Sequence, residues 1–156
     1  MTKEGLQMDE HDSDVFILCA DHRIHIWSAV KRQGLLLPGR KFDKLSGYGV
    51  QIYLAYPREL ERDYNWIAHQ LRFGTKTFPP VVNRKKRVVL IGHRKCGYYS
   101  NIPKRPSEDE EKDDVLRSAE TVSRLSHGTM DVEAYYAIRD GGEVFLETLL
   151  GSAINV

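Results

Sequence analysis

The fold of this chain is decided by the stretch Val88-Val89-Leu90-Ile91-Gly92-His93-Arg94-Lys95-Cys96-Gly97. Its four consecutive aliphatic residues predict a short strand buried on both faces, as in a parallel sheet. Gly92 then frees the backbone, and His93 and Cys96 follow three residues apart. If the chain turns into a helix there, residues at this spacing share one face. The imidazole and the thiol are then expected together beyond the end of the strand, where open α/β sheets bind ligands.

A second apolar strand supplies another thiol. Residues 15–18, Val-Phe-Ile-Leu, are followed by Cys19-Ala20-Asp21-His22-Arg23. If extended geometry continues, Cys19, Asp21 and Arg23 project on one side, because alternate residues of a strand share a face. Since parallel strands converge at their carboxyl ends, this thiol is expected beside the imidazole and thiol of the first stretch.

Cys19, His93 and Cys96 form one complete set of metal ligands. Two thiolates and one imidazole suit Zn²⁺, and three protein ligands leave a fourth position open for water, which is typical of catalytic zinc sites. Two other interpretations remain open. The cysteines can be inert core residues beside a core histidine, since free cysteine is among the most buried residue types. They can also form a redox pair, although the pair lacks the close Cys-x-x-Cys spacing.

The order Cys19-x-Asp21-x-Arg23, followed far downstream by His93-x-x-Cys96-Gly97, resembles the β-class carbonic anhydrases. The resemblance extends over about residues 15–149 and implies an α/β fold with a mostly parallel sheet flanked by helices. It also implies a zinc lyase, in which hydroxide on zinc hydrates CO₂ reversibly to bicarbonate. The metal ligands implied by the family are the two cysteines and the histidine.

The same resemblance gives catalytic roles to Asp21 and Arg23. Asp21 is expected to orient the hydroxide or to bind zinc as a possible fourth ligand, and Arg23 to hold Asp21 away from the metal. The family builds its active site between subunits, so a homodimer or a dimer of dimers is expected. The tyrosine-rich segment 132–138 is a candidate for the interface. His22 and His25 are candidates for proton transfer, or ordinary surface residues.

The chain also departs from the family pattern. His22 stands where serine is common, and the segment Gly47-Tyr48-Gly49 is the nearest counterpart of an Arg-Asn-Ala-Gly-like motif. Two further functions therefore remain open. One is a non-catalytic zinc-binding or interaction protein of the same fold, and the other is a hydrolase of another small cumulated substrate. A permanent fourth protein ligand to zinc is typical of the non-catalytic protein.

Composition fits a single domain. The chain has 156 residues, of which 41% are hydrophobic and 29% charged; we expect a flexible tail, residues 1–13, and one zinc domain, residues 14–156. The net charge of +1 creates no general field for nucleic acid or a membrane surface. No apolar run reaches the length of a membrane span, and no signal peptide is evident, which favours a cytoplasmic protein.

Periodicity and turn residues predict the remaining elements. Helices are expected over residues 24–33, from Pro57 to a stop at Gly74, and from a capping box at Ser107 to Gly128. Strands are expected over residues 42–45 and 132–138. Residues 50–56 fit a strand or a helix start, and residues 143–149, after an Asp-Gly-Gly turn, fit an edge strand or a last helix. The basic run 84–87 is interpreted as a solvated strand entrance, and the acidic run 108–114 as the start of a helix.

Overall fold

The computed structural model describes residues 13–21, 25–77 and 86–151, and the strand predicted around Ile91 lies at its centre. This strand, β3 (Lys86–His93), is buried at all eight positions. It pairs in parallel with β1 (Ser13–Cys19) on one side and with β4 (Met130–Asp140) on the other. A continuous apolar run does indicate a strand covered on both faces here.

The sheet has five strands in the order β2-β1-β3-β4-β5. Strand β2 (Lys41–Gly47) pairs in parallel with β1, whereas β5 (Glu143–Leu150) runs antiparallel to β4. Gly141 and Gly142, with φ angles of 58° and 88°, form the turn between β4 and β5. Positive φ at two successive turn residues suits a tight hairpin, so the last segment is an edge strand and not a helix. The chain is thus a single α/β domain with a mixed, mostly parallel sheet.

Helices cover both faces of this sheet. Helix α1 (Ile26–Arg32) packs on the face to which Val89 and Ile91 point. Val88 and Leu90 point to the opposite face, which is covered by three helices: α2 (Val50–Tyr53), α3 (Glu61–Thr77) and α4 (Glu108–Leu125). The alternation along β3 produces these two apolar layers, because successive side chains of a strand point to opposite faces. None of the described helices has the length and apolarity needed to cross a bilayer.

Helix α4 begins where its sequence predicts. The side-chain oxygen of Ser107 accepts a hydrogen bond from the Glu110 N–H at 3.2 Å. An N-cap of this kind satisfies one of the free N–H groups of the first turn. The acidic first turn that follows also interacts favourably with the positive end of the helix dipole.

Two predicted helix boundaries are wrong. Helix α3 begins at Glu61, four residues after Pro57, and continues through Gly74 to Thr77. A glycine inside a helix costs only about 1 kcal/mol relative to alanine, so it does not necessarily end one. The rest of the loop predicted over residues 75–83 lies outside the described residues, as does the predicted tail except for Ser13, the first residue of β1.

The end of the basic run is buried and not solvated, contrary to the sequence interpretation. Lys86 and Arg87 are only 5% and 3% exposed. The Arg87 guanidinium donates to Asp14 at 2.9 Å and also forms an ion pair with Glu133. Arg40 donates to the other oxygen of Asp14 at 2.8 Å. Buried charges of opposite sign compensate one another, which explains how a basic strand end enters the core.

The two tyrosines of segment 132–138 are buried inside the domain. Strand β4 lies between β3 and β5, and Tyr135 and Tyr136 are 8% and 0% exposed. Both rings therefore belong to the interior of this domain. These two aromatic residues fill the core and are not available to a contact surface, so the expectation that residues 132–138 supply an interface stays a prediction without its tyrosines.

Candidate metal centre

The three predicted ligand residues meet at one edge of the sheet. Cys19 is the last residue of β1 and His93 the last residue of the adjacent β3, and Cys96 follows three residues later. One ligand atom from each of the three lies within 4.8 Å of the other two. Their side chains are between 2% and 5% exposed. The parallel pairing of β1 with β3 brings the first two together, as the sequence indicates.

Cys96 reaches this site by a turn and not by the expected helix. Lys95 adopts a left-handed conformation with φ of 54°, and a 3-10 helix begins only at Gly97. A residue with a side chain is uncommon in this region of backbone space. The left-handed residue reverses the chain tightly between His93 and Cys96, so that both side chains return to the same point. The sequence therefore correctly predicts that His93 and Cys96 lie close together, but a turn and not a helix brings them there.

The two sulfur atoms are close but not bonded. Cys19 Sγ lies 3.9 Å from Cys96 Sγ, far beyond a disulfide bond of about 2.05 Å. A hydrogen bond between the two sulfur atoms lowers the pKa of Cys19 and raises that of Cys96. The Gly49 N–H, at 3.3 Å, further lowers the pKa of Cys19. The pair is thus arranged to hold a thiolate, the form in which cysteine binds a metal.

The imidazole presents a lone pair to the same point. His93 Nδ1 lies 3.0 Å from the Arg94 carbonyl oxygen. Because a carbonyl only accepts, Nδ1 carries the hydrogen, and in the neutral imidazole Nε2 then carries the lone pair. Nε2 is buried and has no hydrogen-bond partner among the described residues. A buried nitrogen without a partner, beside two sulfur atoms, is what a bound cation would satisfy.

A cavity of about 360 Å³ opens onto the two sulfur atoms. Cys19, Cys96 and Asp21 all line this cavity, and Asp21 is 9% exposed. Cys19 and Asp21 therefore face the same cavity. Arg23 and His22 lie outside the described residues, and His25 is exposed at the start of α1 and does not line the cavity. A larger groove of about 840 Å³ lies along α4, away from all these groups.

Gly49 contributes more than the permissive loop expected from Gly47-Tyr48-Gly49. Its φ is 73°, and a Cβ atom built on it would lie 2.1 Å from the Tyr98 ring. Only glycine combines this backbone conformation with this close approach. The glycine therefore lets its own N–H reach Cys19 while Tyr98 packs over it. The sequence signal for this role was the position of Gly49 immediately before the apolar start of α2.

Two buried polar side chains near the site also escaped the sequence interpretation. Glu111 belongs to the acidic run at the start of α4, yet it is 5% exposed and accepts from the Lys95 N–H at 2.8 Å. Gln51 in α2 is 2% exposed, and its amide has no hydrogen-bond partner among the described residues. Neither residue lies in a motif. Only the packing of α2 and α4 against the end of β3 makes them part of the site.

Comparison with known proteins gives no family assignment: the chain matches no family model, no curated protein and no solved structure. A function proposed for it therefore depends on its own residues and their geometry.

Proposed function

We propose that the chain is a zinc enzyme of the β-carbonic anhydrase type, which hydrates CO₂ reversibly to bicarbonate. One observation carries the proposal: Cys19, His93 and Cys96 meet at the carboxyl end of adjacent parallel strands, beside an open cavity that Asp21 also lines. The mixed, mostly parallel sheet flanked by helices agrees with the fold implied by the sequence resemblance.

The donor set and its spacing support zinc as the metal. Zinc binds thiolate at about 2.3 Å in tetrahedral sites, which puts two ligating sulfur atoms roughly 3.8 Å apart. Cys19 Sγ and Cys96 Sγ are 3.9 Å apart, so they require almost no movement to bind it. Two sulfurs and one nitrogen are soft and borderline donors, which disfavours magnesium or calcium. Three protein ligands leave a fourth position, and the cavity gives access to it.

The chemistry would be divided between the metal and Asp21. Zinc held by Cys19, His93 and Cys96 would lower the pKa of a coordinated water to about 7 and would so supply a nucleophile for CO₂ at neutral pH. Asp21 lines the same cavity as both cysteines and can accept a hydrogen bond from that nucleophile, which orients its remaining lone pair. Arg23 would hold the Asp21 carboxylate by a bidentate contact, and this role stays a prediction from the resemblance.

Two observations favour other functions of the same site. Asp21 is buried at the cavity, and a carboxylate there can take the fourth position itself, which would give a non-catalytic zinc protein. The cavity, at about 360 Å³, also has room for roughly twelve waters at about 30 Å³ each, which is more than CO₂ needs. A larger cumulated substrate would therefore fit, and its hydrolysis is the second alternative.

We further propose that a second copy of the chain completes the site, as a homodimer or a dimer of dimers. Tyr48 lines the cavity and is 64% exposed, and Trp66, which lies beside Gly47, is 46% exposed. Aromatic side chains are enriched in protein interfaces. This aromatic surface near the cavity, and not strand β4, is the interface that the proposal requires.

The proposal is tested by zinc content and CO₂ hydration measured on the same preparation. Purified protein should contain about one zinc ion per chain, and Cys96→Ser should lose it, because a serine hydroxyl is a poor zinc ligand. Asp21→Asn should keep zinc but hydrate CO₂ much more slowly in a stopped-flow assay. Asp43→Asn, an exposed carboxylate on β2, is the matched control and should match the unmodified protein.

Each alternative has its own result. Protein purified without chelator and free of zinc would refute the metal site. Stoichiometric zinc without hydration, with a carboxylate oxygen as fourth ligand in X-ray absorption spectra, would identify the non-catalytic protein. Stoichiometric zinc with an exchangeable water ligand, but turnover only of larger cumulated substrates, would identify the hydrolase.

A further inference from the structure

The turn that carries Cys96 is attached to α4 by one buried carboxylate. Glu111 Oε2 accepts from the Lys95 N–H at 2.8 Å, and Glu111 Oε1 accepts from the Tyr136 hydroxyl at 3.1 Å. Both carboxylate oxygens are thus used, one on the turn and one on the interior strand β4. The side chain is only 5% exposed, so water does not compete for these contacts.

The attachment is made at the least favourable residue of the turn. Lys95 is one of two described non-glycine residues with positive φ. Such a conformation persists only where the surroundings hold it. A hydrogen bond from an amide to an ionised carboxylate is shorter and stronger than one to a neutral acceptor. Glu111 is therefore the group best placed to hold Lys95 in this conformation.

The position of this turn determines whether the site has three ligands or two. His93 leaves β3 in an orientation set by the strand, but Cys96 depends entirely on the path of residues 94–96. If Lys95 relaxed to negative φ, the Cys96 sulfur would move away from the point where Cys19 and His93 meet. The carboxylate on α4 consequently acts on the metal site through the backbone and touches no ligand atom.

We propose that Glu111 is a positioning residue, whose buried carboxylate holds the Lys95 turn in the conformation that presents Cys96 to the metal. This inference rests on the metal site proposed above, and it assigns to that site a residue outside the ligand motifs. Tyr136 assists Glu111, because its hydroxyl donates to Glu111 Oε1 and so orients Oε2 towards the Lys95 N–H.

A second carboxylate of α4 holds the chain on the other side of Cys96. Asp114 is 1% exposed and accepts from the Tyr99 and Tyr56 hydroxyls, both at 2.7 Å. Tyr99 belongs to the 3-10 helix that begins directly after Cys96. Because Asp114 still anchors this helix, loss of the Glu111 contact should loosen the turn without detaching the segment. A folded variant with a weakened site is therefore expected.

The test is the metal affinity of Glu111→Gln compared with that of Glu120→Gln. Glu120 is exposed on the same helix, so its variant loses the same charge and serves as the control. Glutamine keeps the length of the side chain but carries no charge, so its amide oxygen accepts from the Lys95 N–H more weakly than a carboxylate oxygen does. Zn²⁺ competition with a chromophoric chelator should show affinity reduced by about 10- to 100-fold, the usual effect of losing a group that orients a ligand. Glu120→Gln should bind like the unmodified protein.

A second readout separates positioning from general stability. Co²⁺ bound to the unmodified protein should give thiolate-to-cobalt charge-transfer absorption from two sulfurs, and Glu111→Gln should show it weakened or shifted. A merely structural glutamate would lower the melting temperature of the metal-free protein and leave both the cobalt spectrum and the zinc affinity unchanged. Tyr136→Phe, which frees one carboxylate oxygen, should lower zinc affinity by a smaller factor, at least about threefold.

The outcomes distinguish this inference from the proposed function. Unmodified protein that binds no zinc or cobalt would overturn both. Unmodified protein that binds metal, together with a folded Glu111→Gln of equal affinity and identical cobalt spectrum, would overturn the positioning role alone. If Glu111→Gln does not fold, Tyr136→Phe decides, and unchanged affinity and spectrum in that variant would overturn the inference.

Discussion

Gly92 is the residue at which the packing of α4 on the ligand strand can be tested most directly. It precedes His93 in β3, and a Cβ atom built on it would lie 2.3 Å from Val115 Cγ2 on α4. Carbon atoms in contact are normally about 3.5–4.0 Å apart, so Gly92→Ala forces a displacement of more than about 1 Å. Val115 is 1% exposed and, being β-branched, has essentially one rotamer in a helix. The helix must therefore move, and Glu111 moves with it.

The free energy of unfolding should fall by about 1–3 kcal/mol in Gly92→Ala, the usual range for an overpacked core. For a chain of this length, each kcal/mol corresponds to about 2–4 °C in melting temperature. Val115→Ala alone should cost about 2–3 kcal/mol, because it removes two buried methyl groups and leaves a small cavity. The double variant should lose less free energy of unfolding than the two single variants lose together, since the new Cβ at position 92 occupies the space that the Val115 side chain leaves.

Urea unfolding of the metal-free protein measures all three variants. Gly151→Ala is the matched control: a Cβ there meets nothing within 4 Å, so its stability should change by less than about 0.5 kcal/mol. A coupling energy of at least about 1 kcal/mol is expected between positions 92 and 115. Strictly additive effects, or a Gly92→Ala variant as stable as Gly151→Ala, would show that α4 does not pack on β3 as described.

Two further predictions concern buried charge and assembly. Arg87→Met should lower the free energy of unfolding by about 3–5 kcal/mol in chemical denaturation, because it leaves Asp14 and Glu133 buried without this partner. Lys112→Met is the control: it breaks only partly exposed ion pairs and should lower the free energy of unfolding by less than about 1 kcal/mol. Light scattering should give the mass of a dimer or tetramer at micromolar concentration. Trp66→Glu should shift the mass towards that of the monomer, because it puts a charge on the exposed aromatic surface proposed as the interface. A monomeric unmodified protein would contradict the assembly.

The sequence predicts the centre of the sheet because residues 88–91 admit few other structures. A fully apolar run of this length belongs in a buried strand, and parallel pairing then places the ends of neighbouring strands together. Cys19 and His93 are predictable for this reason. The hairpin at Gly141 and Gly142 and the cap at Ser107 are predictable because their signals are local, and each depends on a few residues with specific backbone or hydrogen-bonding properties.

What the sequence does not indicate depends on contacts between distant segments. Glu111 and Arg87 occur in charged runs, and a charged run normally indicates a solvated surface. Each is buried only because a partner far along the chain meets it, Lys95 for the first and Asp14 for the second. The left-handed Lys95 was missed for a related reason, since nothing in lysine favours this conformation and only the surrounding structure imposes it.

The buried ion pairs of Arg87 also determine how the strands can align during folding. Asp14 and Arg87 stand directly opposite one another in the β1–β3 pair. A slip of β1 by one residue would turn Asp14 to the other face and leave charges unpaired in the core, which is strongly unfavourable. Cys19 lies five residues along the same strand, roughly 17 Å away at about 3.3 Å per residue. Misaligned strands would separate the Cys19 thiol from the His93 imidazole. The buried charges at one end of the sheet therefore fix the strand register that the metal site at the other end requires.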